Sequence, residues 1–352
     1  MLDGKRILIT GGTGSLGRAL TRRFLNGELG TPSKIIIFSR DEAKQHAMRM
    51  EYQHRRVATD EVIYRNFEQL LEFRIGDVRD YHSIATALRG ADLVFNAAAL
   101  KQVPACEYFP YEAVRTNIEG AENIVRVIRE LTLPVETVVG ISTDKACKPV
   151  NVMGMTKAIQ ERIFLSANIT CPQTRFTCVR YGNVLASRGS VIPLFHDQIR
   201  HGGPVTITTG EMTRFLLSLD EAVDVILGAV RDARAGETFV PRAPAARVVD
   251  VAAALIGDRP IEIQVIGIRP GEKVHEILIS EEECHRSIER GKFYAIRPIL
   301  PELDREADAK PAFETEYSSA LNLLSPKATK ALLQRHHLLV EDVDINGVEL
   351  LR

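Results

Sequence analysis

The chain has 352 residues, 45% hydrophobic and 26% charged, enough for one large or two moderate domains around an ample core. A formal net charge of −1 leaves no electrostatic footprint for nucleic acid or an anionic membrane. No apolar run approaches a bilayer's span and Met1–Lys5 lacks a signal peptide's apolar stretch, so membrane insertion is not expected and a cytoplasmic location is.

The first predicted strand, Arg6-Ile7-Leu8-Ile9, runs into Thr10-Gly11-Gly12-Thr13-Gly14-Ser15-Leu16-Gly17 and then an amphipathic helix. Gly11 takes the tight turn, Gly14 lets backbone approach a pyrophosphate, and Gly17 lets the helix pack on the strand. Thr13, Ser15 and Leu16 share that phosphate-binding turn. The second strand, Lys34–Phe38, ends at Ser39 and Arg40 where a carboxylate would grip the ribose of NAD. A guanidinium there suits the extra phosphate of NADP, and Asp41 beside it leaves NAD open.

Next comes a polar insertion, Asp41 to Leu71, expected to add a helix outside the core. Further strands are predicted at Phe73–Ile75, Leu93–Asn96, Thr137–Ile141 and Phe176–Tyr181, spaced as in right-handed βαβ units. The expected fold is therefore α/β, a Rossmann-type doubly wound parallel sheet with a smaller C-terminal substrate domain. Residues 1–184, with 215–242 returning to them, form the dinucleotide domain; 185–214 and 243–300 form the substrate domain; 301–352 form an extension.

Ligands of such sheets bind beyond the carboxyl ends of the strands. Asp77 and Val78 follow the third strand, where a carboxylate can accept from an adenine amino group. Ala97, Ala98 and Ala99 follow the fourth and let backbone run close to a cofactor. Lys101 comes next and faces the substrate in this reading. After the fifth strand lie Ser142-Thr143-Asp144-Lys145, an acid and a base side by side, and then Met153 and Lys157 on one helical face. Asn183, Arg214 and Arg269 are candidates for a diphosphate, and Glu272 for a ribose hydroxyl. The five cysteines, Cys106, Cys147, Cys171, Cys178 and Cys284, are odd in number without a C-x-x-C. Neither disulfides nor a metal site is expected.

These blocks, with Thr116-Asn117, Arg180-Tyr181-Gly182-Asn183-Val184, Met212-Thr213-Arg214-Phe215 and Gly267–Lys273, resemble those of an extended short-chain dehydrogenase/reductase. The runs Ala99-Leu100-Lys101-Gln102-Val103-Pro104 and Ser142–Lys145 are similar to the UDP-N-acetylglucosamine 4,6-dehydratase family of bacterial polysaccharide biosynthesis.

The resemblance implies oxidation at C4 of the sugar, removal of the C5 proton and the C6 hydroxyl, and return of the hydride to C6. It implies Asp144 as acid, with a raised pKa, and Lys145 as base, with a lowered one. Thr143 polarises the C4 oxygen, Lys157 binds the nicotinamide ribose, and Asn117 belongs to the cofactor set. Met153 stands where the tyrosine-bearing enzymes carry their proton-transferring hydroxyl, and Asp144 is expected to deprotonate the C4 hydroxyl instead. The expected cofactor is NADP, the substrate UDP-N-acetylglucosamine or a related UDP-sugar, and the assembly a homo-oligomer, from dimer to hexamer. The insertion and the tail beyond Pro301 are the segments the catalytic core does not require. The alternatives are a UDP-sugar 4-epimerase or reductase, which needs no adjacent acid and base, and a non-catalytic NADP-binding regulator, which has no need of Lys157.

Overall fold

The computed structural model describes residues 1–54, 67–185 and 190–342. Six parallel strands, β1 (Arg6–Thr10), β2 (Lys34–Ser39), β3 (Leu71–Ile75), β4 (Leu93–Asn96), β5 (Thr137–Ile141) and β6 (Arg175–Val179), lie in the spatial order 3-2-1-4-5-6. Thr238–Pro241 continues the sheet parallel to β6, and Phe293–Ile296 and Ser287–Arg290 close it as antiparallel edge strands. The order reverses between β1 and β4, which opens a crevice at their carboxyl ends.

The strands form because their residues are β-branched or aliphatic on both faces, as in Ile35-Ile36-Ile37. Alternation then sorts them: Ile7, Ile9, Ile35 and Ile37 enter one core cluster, while Leu8 and Ile36 enter the other with Phe38, Ile84, Val94 and Phe176. The Glu42–His54 helix of the polar insertion is not outside the core as expected. Its Met48 and Tyr52, four residues apart on one face, are buried in the first cluster. The rest of that insertion, up to residue 66, lies outside the described residues.

β6 ends at Val179, two residues short of the expected Tyr181. Beyond it the chain follows the segment after β5, with Asp144 N donating to Tyr181 O at 3.0 Å.

A third cluster, built on Phe195, Ile207, Val251 and Leu255, joins the helices Val191–Arg200 and Val248–Ile256 to the paired strands Val205–Ile207 and Ile263–Val265. The segment Ser287–Ile296, expected in the smaller domain, instead joins the main sheet. The tail is also built in. Leu333 and Leu338 are buried in the third cluster, and Tyr317–Ser318 pairs with Ile277–Ile279. Next to that pairing, Glu276 N donates to Ser319 Oγ at 2.9 Å and Ser319 N donates to Glu276 O at 2.8 Å.

Candidate active site

A trough of about 1440 Å³ runs along the carboxyl ends of β1 to β5. This exceeds the usual volume of a single-ligand pocket, roughly 300–1,000 Å³, and suits two bound molecules. Its walls include Gly11, Thr13, Gly14, Ser15, Leu16, Gly17, Ser39, Arg40, Asp77, Val78, Ala97, Ala98 and Ala99. They also include Lys101, Thr143, Lys145, Met153, Lys157, Asn183, Arg214, Arg269 and Glu272. Two expected site residues, Asp144 and Asn117, lie behind the wall: both are fully buried.

The turn after β1 is shaped to admit a phosphate. Gly11 has φ +64°, and a Cβ there would stand 2.8 Å from the backbone N of Ala98. Thr10 Oγ1 fixes that approach by donating to Asn96 Oδ1 at 2.7 Å and accepting from Ala98 N at 3.2 Å. The helix beginning at Ser15 has Gly14 as N-cap with no side-chain cap, so its first N–H groups face an anion site. These residues fit a dinucleotide.

At the end of β2, Ser39 Oγ shares a hydrogen bond with Thr13 Oγ1 at 2.9 Å. Arg40 stands on the rim, its side chain 58% exposed and 3.8 Å from Asp77. The Asp41 carboxylate is engaged by Lys44, whose Nζ lies at 2.6 Å and whose N–H donates at 3.0 Å. Asp77 is held by Arg79 through both carboxylate oxygens, at 2.7–3.0 Å. Burial pushes the Asp77 carboxyl up, but these Arg79 bonds hold it below its ordinary value. Asn117 stitches the chain after β4 to the Val152–Thr170 helix: it accepts from Leu100 N at 2.9 Å and donates to Leu100 O and Thr156 Oγ1, both at 3.0 Å.

Beyond β5, Thr143 Oγ1 donates to Asp144 Oδ1 at 2.8 Å, and Lys145 Nζ donates to the same oxygen at 3.0 Å. Lys145 Nζ also reaches Glu276 Oε1 at 3.1 Å and Asn183 Oδ1 at 3.3 Å. All three ammonium hydrogens therefore have protein acceptors. Burial and the Glu276 charge push the Asp144 carboxyl up, as expected.

Lys145 goes the other way from expectation. Burial pulls its ammonium down, but carboxylates on two sides outweigh burial and hold it above its ordinary value. Lys157 Nζ donates to Ile141 O at 2.7 Å and Gln160 Oε1 at 2.8 Å, and burial lowers it to about 8. Met153, 4% exposed, packs with Cys106 and Ala113 while facing the trough.

Residues 7–298 match the family described as polysaccharide biosynthesis protein. The chain belongs to that family. It is 41% identical over 311 residues to the UDP-N-acetylglucosamine 4,6-dehydratase (inverting) of Campylobacter jejuni subsp. jejuni, covering 88% of this chain and 87% of that protein. It is also 45% identical over 303 residues to a protein named UDP-glucose 4-epimerase from Rickettsia bellii, covering 84% of each. Among solved structures, Pen from Bacillus thuringiensis superposes with a TM-score of 0.83 at 33% identity, covering 96% of this chain and 99% of that one. A dTDP-glucose 4,6-dehydratase from Streptomyces venezuelae, solved with NAD and TYD bound, shares the Rossmann-type fold with a TM-score of 0.63 at 20% identity, covering 76% of this chain and 86% of that one.

In this family member several groups around the trough escaped the sequence reading. Glu276, 2% exposed, follows a stretch read for phosphate contacts and carries no local mark of its role. A buried ion triad lies behind the site. Arg180 NH2 meets Glu161 Oε2 at 2.7 Å, and NH1 meets Glu283 Oε2 at 2.8 Å. Ser142 Oγ donates to Glu161, tying the triad to the chain just before Thr143.

Of the diphosphate candidates, Arg214 donates to the carbonyls of Thr213, Lys273 and Val274 at 2.7–3.2 Å and lies 3.8 Å from Glu276. Arg269 is exposed on the trough wall, and Glu272 accepts from Thr208 Oγ1 at 3.3 Å. Among the described residues no cluster of metal-ligating side chains occurs, and no helix is long and apolar enough to cross a membrane.

Proposed function

We propose that the chain is a UDP-N-acetylglucosamine 4,6-dehydratase that works with NADP, releasing a UDP-4-keto-6-deoxy sugar for glycan assembly. The observation that carries this reading is the Thr143–Asp144–Lys145 group, an ammonium on the wall of a trough large enough for cofactor and sugar nucleotide with a carboxyl 3.0 Å away just behind that wall. The dehydratase relative from Campylobacter jejuni supports it. The relatives named epimerases support the runner-up, a UDP-sugar 4-epimerase. Epimerisation moves only the C4 hydrogen and hydroxyl proton, and it has no use for a second proton-transfer pair.

The bound nicotinamide would take a hydride from C4 and return it to C6. The chain's own residues manage the protons. Thr143 Oγ1 touches the C4 hydroxyl and passes its proton to Asp144, whose raised pKa suits a carboxylate that accepts a proton and later gives it up. Lys145 takes the C5 proton, which the C4 ketone has made acidic. The proton held by Asp144 then returns through Thr143 Oγ1, the group between it and the trough, to the departing C6 hydroxyl, which leaves as water. Lys157 holds the nicotinamide ribose, and Met153 packs against the sugar without transferring a proton. Arg214, Arg269 and Asn183 face the nucleotide diphosphate, Lys101 the substrate, and Glu272 a ribose hydroxyl.

Arg40 at the end of β2 supports NADP over NAD. Self-association belongs to the same proposal: Tyr108, Phe109 and Tyr111 are exposed, as are Met155 and Ile159 on the nearby Val152–Thr170 helix. A monomer by light scattering would contradict it.

The deciding experiment incubates the protein with NADP and UDP-N-acetylglucosamine and follows the product by NMR. Loss of the C6 hydroxyl with a C6 methyl signal is expected. Formation of the 4-epimer alone would replace this reading with the runner-up.

A further inference from the structure

Lys145 as found cannot take a proton. A tertiary centre of acceptors, Asp144 Oδ1 at 3.0 Å, Glu276 Oε1 at 3.1 Å and Asn183 Oδ1 at 3.3 Å, accounts for all three hydrogens of an ammonium and leaves the nitrogen without a lone pair. Before Lys145 acts as a base, one hydrogen must leave. Asn183 Oδ1 is an amide oxygen and does not accept a proton at ordinary pH. Asp144 already has a proton to carry between the C4 and C6 oxygens. Glu276 remains. Its side chain is 2% exposed, it lies on the trough wall, and its second oxygen, Oε2, is buried with no hydrogen-bond partner.

Resting on the dehydratase reading, we propose that Glu276 acts through Lys145 as the acceptor of its proton, converting the resting ammonium and carboxylate into the amine and carboxylic acid that C5 deprotonation requires.

The step balances. The Nζ–H bond breaks, the proton joins a Glu276 oxygen, and the electron pair stays on nitrogen. The amine then takes the C5 proton, and the electrons of the C5–H bond pass to the C4 carbonyl oxygen. When C5 is reprotonated after hydride return, Lys145 gives up that proton and recovers the first from Glu276. The cluster then regains its resting charges without solvent.

The surroundings are consistent with such an exchange. Facing Glu276 are Lys145, Arg214 and Lys273, with Asp144 behind Lys145, so the carboxylate form is favoured at rest. A substrate that expels water from the trough disfavours separated charges and favours the neutral pair. The Glu276 backbone is also anchored, by Ser319 Oγ at 2.9 Å and Ser319 N at 2.8 Å, and its carboxylate lies between Lys145 at 3.1 Å and Arg214 at 3.8 Å.

The test is Glu276→Gln, which keeps an acceptor oxygen for Lys145 and removes the ability to take its proton together with the negative charge, two losses that the pH profile separates. In the holoenzyme with UDP-N-acetylglucosamine in heavy water, deuterium entry at C5 should fall by about 100-fold or more. Oxidation at C4, read from the ultraviolet absorbance of the reduced nicotinamide, should persist. Adding Glu276→Gln to Lys145→Ala should lose nothing further in exchange, as for groups acting as one unit.

The inference is overturned if Glu276→Gln exchanges at the wild-type rate, or exchanges faster with its pH profile moved to lower pH. The second result is the sign expected if Glu276 merely adds negative charge beside Lys145. If the Gln variant does not fold, Glu276→Asp, with its carboxylate set back by one methylene, should lose C5 exchange far more than C4 oxidation; equal loss of both overturns the inference. A wild-type protein that shows no C5 exchange refutes the dehydratase reading and not the role of Glu276.

Discussion

Replacing Arg180 by methionine tests how much of the site's rigidity rests on the buried ion triad. The guanidinium is 3% exposed and bridges Glu161, at 5%, and Glu283, at 11%. It thereby links β6 to the Val152–Thr170 helix and to the short Glu281–Cys284 helix. Burial alone would push the Glu283 carboxyl up, yet its bonds with Arg180 bring it from 4.5 down to about 2. That interval corresponds to roughly 3 kcal/mol of stability near neutral pH. It agrees with the ~3–5 kcal/mol typical of breaking one side of a buried pair.

With an unfolding entropy of about 2.1 cal/mol/K per residue, Tm should fall by about 4–7 °C. The sign of the pH effect follows from a depressed carboxyl. Its contribution is present above the unfolded value of 4.5 and lost as pH falls through about 2, so the gap between wild type and variant narrows over that window. Scanning calorimetry at pH 7 and at a series of lower values measures it. Glu161→Gln with Glu283→Gln in the Arg180→Met background should recover part of the loss by removing the stranded charges. A drop of less than 1 °C, or a gap that stays constant into acid, refutes the reasoning.

Met153→Leu keeps roughly the same volume and should retain activity within about tenfold, whereas Asp144→Asn should lose on the order of 10²–10⁴-fold in turnover; equal losses would give the sulfur a direct role. Lys157 is buried with its pKa lowered from 10.5 to about 8. Its folded form sheds a proton earlier than its unfolded form, so the penalty is complete below pH 8 and is relieved towards pH 10.5. The stability of wild type relative to Lys157→Met should therefore rise over that range, and a flat difference in denaturant melts would contradict it. Gly11→Ala places a Cβ 2.8 Å from Ala98 N at a positive φ; it should cost about 1–3 kcal/mol and abolish cofactor retention, which a fluorescence titration reads directly.

What the sequence made legible was local. The β1 turn, its helix and the runs Ile35–Ile37 and Val138–Ile141 announce themselves because strand burial and glycine turns are short-range patterns. Thr143, Lys145, Met153 and Lys157 are legible because they sit within fifteen residues of one another in runs that resemble a known family, and all four face the trough. The misses are long-range. Nothing near Glu276 in the chain reveals that it will lie 3.1 Å from Lys145, where its carboxylate adds to that of Asp144 in holding the lysine up against burial. Arg180 stands in the chain far from its partners, since Glu161 and Glu283 come from separate elements. Asn117 occupies the expected segment, but the backbone of Leu100 claims its amide.

The tail changes how this protein can be shortened. The family match stops at residue 298, a natural place to cut when only the nucleotide-binding half and its partner are wanted. Such a cut would spare every residue of the phosphate turn. It would also remove Tyr317–Ser318 from beside Ile277–Ile279, Ser319 from the backbone of Glu276, and Leu333 and Leu338 from the interior of the smaller layer. The shortened protein would still recognise a dinucleotide while its proton-handling corner came loose. Affinity for the coenzyme is thus a poor criterion for judging truncated forms.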